Sequence, residues 1–131
     1  MAVIEKSGVG IVQIDEQHNT LFWLMNKIVS SLTVQFSRSF VAEEMRQLLK
    51  YSDAHFSSEE RLMKVYSYPN TKAHTETHKT IISHLVQIIE ILEKTEEDVV
   101  EKIGAFIGHY RLHLQETDDS VGAHLRMAGV R

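Results

Sequence analysis

The chain has 131 residues, 43% hydrophobic and 24% charged, with eight His, one Pro, six Gly and no Cys, enough for one domain with its own core. Fourteen Lys and Arg against 18 Asp and Glu leave a net charge of −4; the signs alternate along the chain, so no basic face is offered to a nucleic acid. The lack of Cys excludes a disulfide scaffold, thiolate-ligated zinc, iron–sulfur clusters and thiol catalysis.

Scarce Pro and Gly favour long elements, and the apolar spacing is helical throughout. From His18 the chain steps by three and four through Phe22, Met25, Val29, Leu32 and Phe36, predicting α1 over residues 15–37. Asp15 is placed to cap it. Val41, Met45, Leu48, Ser52, His55, Glu59, Leu62 and Tyr66 form the stripe of α2, 40–65, with Ser37 or Ser39 as cap and Glu43 and Glu44 in the first turn. Tyr66-Ser67-Tyr68-Pro69-Asn70 breaks the pattern. His74, His78, Ile81, Leu85, Ile88 and Leu92 then define α3, 70–93. Thr95-Glu96-Glu97-Asp98 reads as a capping box opening α4, 96–118, whose stripe is Val99, Ile103, Phe106, Tyr110 and His113. Residues before about 13 are expected to form an irregular arm, and those after Gly122 a further short turn. No stretch alternates with period two.

Short connections make neighbouring helices antiparallel, so the expected fold is all-α: an up-down-up-down four-helix bundle forming one domain over 1–131. The opening MAVIEKSGVG has no apolar leader segment, and no run of about 18 apolar residues occurs. A monomeric cytoplasmic protein without membrane contact is expected.

The stripes carry polar residues where a bundle core wants Leu. His55 and Glu59 are four apart, as are His74 and His78, and side chains at that spacing share one helix face about 5–6 Å apart. With a rise of about 1.5 Å per residue, His18 near the start of α1, His55 and Glu59 near the end of α2, His74 and His78 near the start of α3 and His113 near the end of α4 all lie within about 5–15 Å of the same end of the bundle. Buried imidazoles in such number need partners, and a metal is the economical one. Asp118 follows His113 by five residues, about 140° round a regular helix, so it reaches the same layer only if the helix loosens into a π-type turn or ends. On geometry alone Glu116, Thr117 and Asp119 compete with it.

Asp15-Glu16-Gln17-His18, His55-Phe56-Ser57-Ser58-Glu59-Glu60, His74-Thr75-Glu76-Thr77-His78 and His113 through Asp118, in this order, resemble the hemerythrin family, specifically its bacterial single-domain type, over the whole chain. The resemblance implies a non-haem diiron centre with a bridging oxo or hydroxo group. His74, His78 and His113 would bind one iron, His18 and His55 the other, and Glu59 and Asp118 would bridge them. The iron with two His would then keep a position open, where the family binds O2 reversibly, and the protein would be an oxygen carrier or store rather than an enzyme. By their positions beside the ligands, Leu21, Phe22, Phe56 and Leu114 are expected to line the O2 pocket. His109 is added to that lining because it stands four residues before His113, where the family usually has Trp. Val121 replaces a Tyr common three residues after the bridging Asp, and the usual early Trp is missing from the arm.

Two other readings compete: an O2- or redox-sensing module acting on a separate partner, and a diiron oxidase or peroxidase. Ferritin-like oxidases use carboxylate-rich sites with Glu-x-x-His repeats. This chain offers five His to two carboxylates and has no such repeat.

Overall fold

The computed structural model describes residues 10–33 and 36–131, the side chains of residues 33 and 116–118 excepted. All regular structure among them is helical: α1 Val12–Thr33, α2 Arg38–Val65, α3 Thr71–Lys94, α4 Val100–Leu112, then a π-helical turn His113–Thr117 that runs without a break into α5 Asp118–Met127. Each long helix packs on its chain neighbours and α4 closes back on α1, giving the expected four-helix bundle.

Caps explain where the ends differ from expectation. Ser37 does cap α2, accepting the Phe40 N–H at 3.3 Å. Asp15 instead lies inside the first turn of α1, where it accepts from the Gly10 N–H at 3.3 Å, so the helix starts three residues earlier. The anticipated capping box before α4 is two successive side-chain turns. Thr95 Oγ1 takes the Glu97 N–H and Asp98 Oδ1 the Val100 N–H, each at 3.1 Å, and the helix waits until Val100. The last helix runs past 118 to Met127.

Two Schellman motifs stop α2 and α5. Tyr68 N–H reaches Met63 O at 2.9 Å and Ser67 N–H reaches Lys64 O at 3.3 Å, with Ser67 left-handed at φ 57°. Val130 N–H reaches Leu125 O at 2.9 Å and Gly129 N–H reaches Arg126 O at 3.0 Å, with Gly129 at φ 93°. Both motifs throw an apolar residue, Tyr68 and Val130, back onto a small cluster of Ile11, Ile14, Met63, Val121 and Leu125. The main core, around Met25, Ile28, Met45, Leu48, Leu85, Ile88 and Ile103, fills the rest of the bundle.

The order of residues along the helices puts a polar layer between these two clusters. Ile14 precedes His18 by one turn and Leu21 and Phe22 follow it; Met63 follows Glu59 by one turn and Leu48 and Ser52 precede His55. The layer is therefore closed toward the bundle core by one cluster and toward the bundle end by α5 and the other.

Candidate metal centre

The first three helices deliver their polar residues to that layer by helical period, and the fourth delivers His113 where it runs into the π turn. His18 on α1, His55 and Glu59 on α2, His74 and His78 on α3 and His113 at the start of the π turn are all buried. Their ligand-type atoms fall into two groups, Glu59 with His74, His78 and His113, and His18 with His55 and Glu59, and within each group all lie within 4.8 Å of one another. Glu59 belongs to both. Its Oε1 is 2.9 Å from His74 Nε2 and 3.1 Å from His78 Nε2. The rings of His18 and His55 are 4.8 Å apart between centroids, those of His74 and His113 5.1 Å.

The chemistry of this donor set fits divalent metal. Glu59 is 0% exposed, and the buried polar residues described include no Lys or Arg to balance a carboxylate; a buried carboxylate is costly unless a cation meets it. His55 Nδ1 and His78 Nδ1 each lie 2.7 Å from a side-chain oxygen, of Gln17 and of Glu60. Those oxygens accept, so both Nδ1 atoms carry the proton and both Nε2 atoms keep a lone pair. Imidazole with carboxylate and no thiolate suits a metal of intermediate hardness, iron among them.

Phe56 packs against both groups. It stacks on His78 at 3.9 Å and 6° between planes, meets His113 edge-on at 6.1 Å, and lies 5.6 Å from His55. Phe22 stands edge-on to His18 at 6.5 Å, and Leu21 and Leu114 are buried in the same core. His109 departs from the expectation: it is exposed. At about 100° per residue Ile103, Phe106, Ile107 and Tyr110 centre the buried stripe of α4, and position 109 lies about 120° away from it, facing solvent. His113 itself sits at the edge of that stripe and reaches the layer at the π turn.

That π turn is the loosening that Asp118 requires. Hydrogen bonding from i to i+5 brings residues five apart toward one line, and Asp118 is five beyond His113; its side chain lies outside the described residues. Sequence reasoning did not assign the outer ring of Gln13, Gln17, Ser58 and Glu60. Gln17 and Glu60 each directly follow or precede a ligand position, and adjacency of a polar residue to a ligand was their only signal. His84, exposed against Phe106, and His124, bonded to Tyr66 O at 2.7 Å, stand apart from the layer.

Fold and site define a four-helix bundle with a buried His/Glu cluster able to hold metal. Residues 9–125 match the hemerythrin HHE cation binding domain, and the chain belongs to the hemerythrin family. Its relatives include the bacteriohemerythrin of Stenotrophomonas maltophilia, 27% identical over 123 residues, which are 90% of this chain and 79% of that protein. That of Methylococcus capsulatus is 24% identical over 116 residues, 88% of each chain. The fold superposes on a crystal structure of wild-type hemerythrin with a TM-score of 0.83 at 23% identity, covering 95% of this chain and 98% of that one.

Proposed function

We propose that the chain holds two iron ions in this layer and binds O2 reversibly there, as a carrier or store rather than an enzyme. The observation that carries the reading is the division of the buried donors into two groups that share Glu59. His74, His78 and His113 would hold one ion, His18 and His55 the other, and Glu59 and Asp118 would be shared between them, Asp118 on the family resemblance. Two ferrous ions supply the electrons that reversible O2 binding needs.

The remaining work belongs to the chain. Gln17 and Glu60 hold His55 and His78 in one tautomer and one orientation. Phe56 and Phe22 wedge the ligand rings, and with Leu21 and Leu114 they keep water from the layer, which protects reduced iron from irreversible oxidation. The donor set, five His to two carboxylates without a Glu-x-x-His repeat, favours carriage over ferritin-like oxidase turnover. No described helix is long and apolar enough to cross a membrane.

Metal analysis and absorption spectra of the protein reduced without air, aerated and then degassed test the reading. Two irons per chain and a visible band that appears with air and fades on degassing are expected. A band that degassing cannot reverse would move the reading to redox sensing or oxidation, and an iron-free protein would overturn it.

A further inference from the structure

The two groups of ligands are held from outside by unlike residues. Glu60 Oε2 accepts from His78 Nδ1, and Gln17 Oε1 accepts from His55 Nδ1, both at 2.7 Å. The orientation of the Gln17 amide is set by its other end, whose Nε2 donates to Ser58 Oγ at 3.3 Å. Ser58 Oγ also accepts from Gln13 Nε2 at 2.8 Å. Sterically the two supports are equivalent. Electrically they differ by a full charge.

We propose that Glu60 and Gln17 are positioning residues that grade the two metal positions. Glu60 makes the group of Glu59, His74, His78 and His113 the tighter position, filled first; Gln17 leaves the group of His18, His55 and Glu59 the weaker, filled second. The inference rests on the two-ion reading above. A carboxylate behind an imidazole strengthens the ring as a donor, because the growing positive charge on the metal-bound ring is met by a negative acceptor. A neutral amide oxygen fixes the ring but answers that charge less. The difference in ligand number, one Glu with three His against one Glu with two, acts in the same direction.

Both supports are reached from solvent-facing grooves, not from the core. Glu60 lines one of about 300 Å3 with Asp53, Phe56 and His78, and Gln17 lines one of about 320 Å3 with Tyr51 and His55. Exchanging charge for amide at either place therefore leaves the packed interior intact.

Anaerobic titration of the apoprotein with Fe2+ against a competing ferrous chelator reads both stepwise affinities. The wild type should take two ions in two resolved steps. Glu60→Gln should weaken the tighter step by about 10- to 100-fold and leave the weaker within about two-fold. Gln17→Glu should tighten the weaker step by about ten-fold, a gain that no loss of packing produces. His18→Ala should remove the weaker step alone. Two equal steps in the wild type, equal or absent shifts in the Glu60 and Gln17 variants, or loss of the tighter step in His18→Ala overturn the grading while the two-ion reading stands. Saturation of the wild type at one ion or none overturns both.

Discussion

Glu59→Gln should stabilise the metal-free protein and abolish its response to metal. The carboxylate is wholly buried, within 2.9 and 3.1 Å of His74 and His78, and removing a carboxylate from water costs several kcal/mol that imidazoles repay poorly. Gln keeps the shape and removes the charge. A gain of about 1–3 kcal/mol in the apoprotein follows, set against the loss of a hydrogen bond. At about 3–5 °C per kcal/mol for a domain of this size, the melting temperature rises by several degrees. With metal the sign reverses. Two ions at 100-fold excess over their dissociation constants add about 2.7 kcal/mol each, and because Glu59 stands in both donor groups its loss weakens both at once. The gap between melts in chelator and melts with excess Fe2+ under argon, read by circular dichroism, should fall from about 5 kcal/mol to below about 1 kcal/mol. An apoprotein variant that melts well below the wild type, or one that retains two irons through gel filtration, refutes the reasoning.

Glu44 is a second buried carboxyl, and desolvation raises its pKa above 4.5 against the opposing hydrogen bond of Ser31 and the charge of Lys27. The folded state then binds the proton more tightly than the unfolded, so stability falls as pH climbs from about 4.5 through the raised value. Glu44→Gln should match the wild type near pH 4 and exceed it at pH 7 in urea unfolding; an equal difference at both would count against burial as the cause. Ser67→Gly relieves a left-handed serine in the α2 Schellman motif and should add about 0.5–1 kcal/mol, visible as a small rise in melting temperature. Phe56→Leu should cost about 1–1.5 kcal/mol and speed irreversible oxidation of the aerated protein severalfold, whereas His109→Leu, altering an exposed ring, should leave that rate unchanged.

The fold was legible because the four stripes are long and uninterrupted, so the three-and-four step survives every local irregularity. The layer was legible for a sharper reason: in an antiparallel bundle, position along each helix becomes height, and His18, His55, Glu59, His74, His78 and His113 share one height. Angle round the helix was less secure. His109 is only about 40° from His113, yet it falls outside the buried stripe while His113 meets its edge, a margin that composition and spacing do not resolve. The outer ring was invisible to periodicity, since Gln17 and Glu60 lie off the stripes and gain their meaning from a partner on the next helix. Arg38 is similar. It bonds the carbonyls of Ile91, Leu92 and Glu97 at 2.9, 3.2 and 2.8 Å and closes the end of α3, a role that its neighbours in sequence do not announce.

A bundle can carry so polar a layer because the cost is confined. Buried imidazoles and a carboxylate weaken the section of core that holds them, but the bulk of the main cluster, from Leu21 and Leu48 onward, lies to one side, with Phe56 and Leu114 reaching into the layer. The smaller cluster on the other side is tied down by Tyr68 and Val130, each placed by a helix stop rather than by a long apolar face. Secondary structure is therefore expected to survive metal removal, with loosening concentrated at α5 and the π turn, which close the layer toward the bundle end and pack on the smaller cluster. Hydrogen exchange separates the two: amides of α5 should lose protection in the apoprotein while those of Met45, Leu48, Leu85 and Ile88 keep it. Uniform loss across both would mean that the layer is part of the folding core and not a site set into it.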